Sequence, residues 1–117
     1  MQIQVNTGNG LVNNAPLEQW ASEHLTDVLA RFSHDVTRVE VQLSDENGAR
    51  KGAADIRCTM EARLVHHQPL AVTHHAENQD QAFRGAGQKL HSLLQHTLGK
   101  LDHHKDRDTI RKEPTVD

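Results

Sequence analysis

The ten histidines are the residues with the widest chemical range in this chain, because imidazole binds metal ions and titrates near neutral pH. Six of them form three adjacent pairs: His66-His67, His74-His75 and His103-His104. Adjacent side chains point to opposite faces of a strand and diverge on a helix, so the two members of a pair cannot chelate one ion together. No H-x-x-x-H or C-x-x-C spacing accompanies the pairs. We expect a titrating surface, with no metal site and no cofactor.

Nucleophilic chemistry is equally hard to place in this sequence. Cys58 is the single cysteine, and its strand register turns it toward the core, where a thiol is usually a small buried apolar group. One cysteine excludes an internal disulfide and fits a reducing compartment. The chain has no Ser/His/Asp motif, no glycine-rich phosphate loop after a strand and no isolated acid pair. We therefore predict that the protein is not an enzyme.

Positive charge is concentrated on the predicted second helix, from Asn78 to His104. Between 78 and 105 the chain has four Lys/Arg residues and two acids, whereas its net charge is −3. Apolar residues recur there every three or four positions, which predicts one buried helical face. Four residues that are cationic or titratable lie along one flank of that face: Lys89, His96, Lys100 and His103, named here the basic edge. Arg84 and His91 lie on the other flank. Such an edge suits a phosphate backbone, although a solvated edge of an amphipathic helix has the same composition.

The remaining elements must position this helix. Alternation and helical periodicity predict strands at 2–6, 36–44, 54–64 and 70–75 and a first helix from 14 to 32. Asn14 is the expected N-cap of the first helix and Asn78 that of the second. Asn47-Gly48 indicates a hairpin. Gly87 points toward the core, where the missing side chain would let the helix backbone approach a sheet closely.

Each predicted strand has one apolar and one polar face, as in an antiparallel sheet with one face in water. The polar rows mix signs and are interpreted as cross-strand ion pairs. The first two strands, joined by a helix, should be parallel neighbours. The fold class is α+β: a β-α-β-β-β-α two-layer sandwich, with a four-stranded sheet in the order 1-2-3-4 and two helices on one face. Its predicted core comprises Trp20, Phe32, Val39, Val41, Cys58, Met60, Val72, Phe83, Leu90 and Leu94.

Length and composition fit a single domain at 1–105, followed by a disordered charged tail at 106–117. The polar N-terminus does not read as a signal peptide, and no apolar run reaches transmembrane length. We expect a cytoplasmic protein with no membrane partner. The net charge argues against coating of nucleic acid in general, so no DNA partner is expected. A monomer or weak dimer is expected, because one core uses up the apolar residues.

Several runs of sequence resemble the ribosome hibernation promoting factor family, also called ribosomal subunit-interface proteins. The opening MQIQVNT and the run DQAFRGAGQKL carry the general resemblance. The runs RVEVQLSDENG, RCTMEARL and PLAVTHHA look like a divergent proteobacterial branch of that family. The resemblance covers roughly residues 1 to 105. It implies a short form, because no long linker and second domain follow.

The resemblance implies a double-stranded-RNA-binding-like fold and binding to the 30S ribosomal subunit through 16S rRNA, in the channel of messenger and transfer RNA. It also implies repression of translation in stress or stationary phase. Lys89 matches a family position that contacts rRNA, while His96 and Ser92 replace basic residues and Asp80 replaces an aromatic one. The candidate RNA-binding residues are Lys89, Lys100, Arg84, His96, His103 and Lys105.

Two other functions are also compatible with the sequence. A protein-interaction module could keep the same fold without rRNA binding, as the net acidity and Ser92 suggest. A histidine-rich metal-binding protein is the less favoured alternative.

Overall fold

The computed structural model shows a four-stranded sheet with two helices on one face. It describes residues 1–8, 11, 13–46 and 55–112, with side chains up to residue 99. The elements follow one another as β1 (Gln2–Thr7), α1 (Ala15–Val28), β2 (Val36–Asp45), β3 (Ile56–Leu64), β4 (Leu70–Ala76) and α2 (Gln79–Lys112). The predicted β-α-β-β-β-α two-layer sandwich is confirmed. Asn47-Gly48, the predicted hairpin signal, lies outside the described residues.

The sheet has the strand order β1-β2-β3-β4. β1 runs parallel to β2, and the pairs β2–β3 and β3–β4 are antiparallel, as predicted. One feature of β2 departs from strict alternation: the register shifts between Val36 and Arg38. Since a bulge adds a residue to one strand, Val36 and Val39 can both face the core.

Both predicted helix starts are confirmed by side-chain caps. The Asn14 side chain accepts a hydrogen bond from the Leu17 backbone N–H at 2.9 Å. The Asn78 side chain accepts one from the Gln81 backbone N–H at 2.8 Å. Each asparagine satisfies a backbone donor that the first helical turn would otherwise leave without a partner.

Both helix ends differ from the prediction. α1 ends at Val28, and a separate 3-10 helix at Ala30–Phe32 continues the apolar pattern, so periodicity alone did not reveal the break. The backbone of α2 runs past His104 to Lys112. It thus enters the segment predicted as a tail, residues 106–117, of which 113–117 lie outside the described residues. The division of the chain at 105 stays a prediction.

The core lies between the sheet and the two helices. All but two of the predicted core residues are buried. The exceptions are Trp20 and Val72, which are half-buried and pack against the rim of the core. Val72 belongs to β4, an edge strand with a neighbour on one side only. The Trp20 ring contacts His24 on the same helix and Phe83 near the start of α2.

Gly87 is buried, as predicted, but it packs against α1, and the glycine that allows close packing on the sheet is Gly85. A Cβ atom placed on Gly85 would overlap the imidazole of His74 on β4. A Cβ atom on Gly87 would meet the Leu25 side chain at 3.6 Å, an ordinary van der Waals distance. The missing side chain at Gly85 therefore allows α2 to lie directly on His74.

Candidate nucleic-acid interface

Lys89, the first residue of the basic edge, lies against β4, one of the two edge strands of the sheet. Lys89 is exposed, and its ammonium group donates a hydrogen bond to the Thr73 backbone carbonyl at 2.9 Å. An ammonium group has three donors. Lys89 therefore joins the helix to the edge strand and keeps two N–H groups for a phosphate.

His96 is also exposed, two turns further along the same flank. The side chains of Lys100, His103 and Lys105 lie outside the described residues, although their backbone belongs to α2. At 1.5 Å per residue, Lys89 and Lys100 are about 16 Å apart along the helix axis. The assignment of these residues to RNA binding stays a prediction.

Arg84 lies on the opposite flank, away from the basic edge. Its Nε donates to both oxygens of Asp80, at 2.9 and 3.1 Å, in an ion pair between successive turns. Its guanidinium carbon also lies 5.3 Å from the centre of the Trp20 ring. The positive charge of Arg84 is thus partly balanced within the protein. Of the described candidates, Lys89 and His96 share one flank and Arg84 does not.

A cluster of rings lies beside Arg84, and sequence reasoning missed it. The Trp20 and His24 rings stack with centres 5.3 Å apart, and both contact Phe83. Burial lowers the pKa of His24, and the positive charge of Arg84 lowers it further, while Asp80 and Asp27 act in the opposite direction. The i, i+4 spacing of Trp20 and His24 was the available signal, because such pairs are neighbours on a helix.

The histidine pair on β4 and Cys58 have the geometry expected from the sequence. His74 faces α2, whereas His75 is exposed and its Nδ1 lies 2.9 Å from an Asp55 carboxylate oxygen. Among the described residues, no three His, Cys, Asp or Glu side chains are grouped in a way that could hold a metal ion. Burial raises the pKa of Cys58 to about 12, which keeps the thiol protonated.

The open face of the sheet carries the mixed ion pairs that the sequence predicted. Glu40 accepts from Arg38 at 3.0 Å and lies 3.5 Å from Arg63 on the neighbouring strand. Directly opposite residues repel, since Arg38 faces Arg63 and Glu40 faces Glu61, so the Arg63–Glu40 pair forms diagonally. Exposed pairs of this kind add little stability. They do, however, balance the arginines of this face, which makes it a weaker phosphate-binding surface than the basic edge.

Within the described part of the chain, no helix is both long and apolar enough to cross a membrane.

Comparison with known proteins gives a likeness of fold at low sequence identity. No protein-family model matches the chain, and no curated protein matches it either. Among solved structures, the N-terminal domain of Thermus thermophilus protein Y matches with a TM-score of 0.67 at 15% identity, over 83% of this chain and 99% of that one. A ribosomal subunit interface protein from Coxiella burnetii matches with a TM-score of 0.64 at 12% identity, over 85% of this chain and 99% of that one. The chain therefore has the fold of protein Y's N-terminal domain and of this ribosomal subunit interface protein.

Proposed function

We propose that this protein is a non-enzymatic ribosome-associated factor that binds the small ribosomal subunit and represses translation in stress or stationary phase. In this role it binds 16S rRNA in the channel of messenger and transfer RNA. It acts in the cytoplasm as a monomer or weak dimer. The observation that carries the proposal is the fold likeness to a protein named for the ribosomal subunit interface, which spans 85% of this chain. The resemblance of several sequence runs to the hibernation promoting factor family points the same way.

The basic edge of α2 is the surface best suited to the rRNA backbone. Lys89 is exposed and held at the rim of the sheet by Thr73, so its ammonium group has a defined position before RNA arrives. Lys100 lies three turns further along the same helix, a separation that spans a few phosphates. Lysines act as hydrated point charges, so binding should depend on salt and only weakly on sequence.

Charge reversal of the two lysines tests this surface. We expect the variant Lys89→Glu/Lys100→Glu to lose association with the small subunit in sedimentation assays and to keep a cooperative unfolding transition. For the wild type, the logarithm of the binding constant should fall linearly with the logarithm of salt concentration. Replacing Lys89 alone by glutamine should reduce the magnitude of this slope by about 0.7–0.9, the value for one phosphate contact.

A second pair on the sheet provides the matched control. The variant Arg57→Glu/Arg63→Glu changes the net charge by the same amount on the open face. We expect it to bind the small subunit nearly as well as the wild type. Loss of binding in this control, with normal binding by the lysine variant, would move the interface to the open face of the sheet.

Fractionation of stationary-phase cells tests the function itself. Polysome gradients should place the protein in fractions of the small subunit or of whole ribosomes. Its absence from all of those fractions would refute the proposal, whichever surface is involved.

A protein-interaction module is the second candidate function. The pairing of Arg84 with Asp80 favours it, because this ion pair engages a cation that would otherwise be available to RNA. Affinity purification would support this candidate if it recovered one non-ribosomal protein and no rRNA.

A further inference from the structure

The two edge strands of the sheet, β1 and β4, lack the charged residues and prolines that usually protect edge strands. An edge strand presents unpaired backbone N–H and C=O groups, and natural proteins shield these groups against pairing with another chain. Here the charges lie on the two central strands, since β2 and β3 have three charged residues each. The shielding of the edges must therefore come from outside the edge strands themselves.

On β4 the shielding group belongs to α2. The Lys89 ammonium group donates to the Thr73 backbone carbonyl at 2.9 Å. Thr73 is opposite Thr59 of β3, and their hydroxyl oxygens lie 3.2 Å apart. Such close side chains are typical of a non-hydrogen-bonded antiparallel pair, whose backbone groups point away from each other. The Thr73 backbone groups therefore point to the free edge, as do those of Ala71 and His75. Lys89 occupies the central carbonyl of these three.

β1 has the same arrangement, with an asparagine in place of the lysine. The Gly8 backbone N–H donates to the Leu43 carbonyl of β2 at 3.0 Å, so the Gly8 backbone faces β2. Since backbone directions alternate along a strand, Val5 faces the free edge, with one outward residue on each side. The Asn13 side-chain amide donates to the Val5 carbonyl at 3.4 Å. The central outward carbonyl is thus occupied on both edges.

We propose that Lys89 and Asn13 close the two edges of the sheet to strand addition by a second copy of this chain. The β4 edge is the stronger case, because the strand is self-complementary. Two antiparallel copies centred on Thr73 would exchange two backbone hydrogen bonds there. Ala71 would then face the partner's His75, so no like charges would be opposed along the strand. In the wild type, two Lys89 ammonium groups would meet near the same axis and repel, and each would lose its carbonyl acceptor.

Sedimentation velocity of the purified full chain tests this inference. Lys89→Met keeps the length of the side chain and removes its charge and its donors. We expect its association constant for self-association to exceed that of the wild type roughly tenfold or more, because no charged hydrogen bond has to be broken first. A Lys89→Met variant that associates no more than the wild type would overturn the proposal.

Two matched variants separate the edge contact from a general loss of charge. Lys89→Arg keeps a charged donor at the edge and should associate no more than the wild type. Arg31→Met removes the same charge from an exposed position outside both edge strands, and it should also behave as the wild type does. Association of Arg31→Met as strong as that of Lys89→Met would overturn the role of the edge.

A second change in the Lys89→Met background identifies the strand involved. Thr73→Pro removes an N–H that points to the free edge, a position where an edge strand tolerates proline. The double variant should return to the association constant of the wild type. If it does not fold, Thr73→Lys replaces it, because a lysine on an edge strand also opposes pairing. Association that persists in the folded double variant would overturn the assignment to β4.

Asn13→Ala tests the β1 edge in the same assay. We expect a smaller increase in association than for Lys89→Met, roughly threefold, because the bond to Val5 is longer and uncharged. No increase would overturn the inference for β1. None of these measurements involves the ribosome, so the result is independent of the proposed function.

Discussion

The contact between Gly85 and His74 leads to a sharp prediction about two glycines on one helix. Gly85→Ala and Gly87→Ala make the same chemical change two residues apart in the interior of α2. From helix propensity alone, each change should raise the free energy of unfolding by about 1 kcal/mol, because alanine forms helix more readily than glycine. They differ in what the new methyl group meets. At Gly85 it overlaps the His74 ring, whereas at Gly87 it makes an ordinary contact with Leu25 at 3.6 Å.

The size of the effect follows from the cost of overpacking. Forcing a methyl group into an occupied site typically costs about 1–3 kcal/mol. After the gain in helix propensity, Gly85→Ala should lower the free energy of unfolding by about 0–2 kcal/mol. Gly87→Ala should raise it by about 1 kcal/mol. A gap of about 2 kcal/mol between the two variants separates their midpoints by roughly 10 °C in thermal unfolding.

Chemical denaturation of the two single variants measures this gap, and a double-mutant cycle identifies its cause. In a His74→Ala background the ring is absent, so Gly85→Ala should become stabilising by about 1 kcal/mol. The m-value, the slope of the unfolding free energy against denaturant concentration, should stay constant. A constant m-value shows that the variants expose the same surface area on unfolding. Equal effects of the two glycine variants would refute the reasoning, and so would a cost at Gly85 that persists without His74.

The ring cluster beside Arg84 leads to two further predictions. Trp20→Ala should lower the free energy of unfolding by about 2–3 kcal/mol, as measured with denaturant. This is less than the roughly 3–5 kcal/mol expected for a fully buried Trp, because Trp20 is half-buried. A larger loss would show that Trp20 belongs to the core. The pKa of His24 in the native state lies below its ordinary value. As the pH falls through about 6.5, the unfolded state therefore binds more protons than the native state does. Stability should therefore fall on acidification until the pH passes below the lowered pKa, and His24→Gln should reduce this pH dependence. An identical pH dependence in the variant would exclude the contribution of His24. The charged groups that act on the His24 imidazole are Arg84, Asp80 and Asp27.

The fold could be predicted from the sequence because its determinants are local. Alternation along β2 and β3 defines an apolar and a polar face within a few residues, and the two asparagine caps define where helices begin. The strand order then follows from connectivity, since β1 reaches β2 through a helix and the later strands follow as neighbours. Helix ends were less predictable. An apolar residue such as Phe32 satisfies the helical period equally well in a 3-10 turn.

The sequence by itself therefore determined the sandwich, the buried faces and the flank of α2 on which Lys89 and His96 lie. Only the tertiary structure decided which polar groups meet. It joined Lys89 to Thr73 and Arg84 to Asp80, placed His74 beneath Gly85 and placed Gln79 beside a mostly apolar cavity. Most of these contacts depend on the distance and rotation of α2 relative to neighbouring elements. That geometry is fixed by the packing of the whole core, which no short run of sequence encodes.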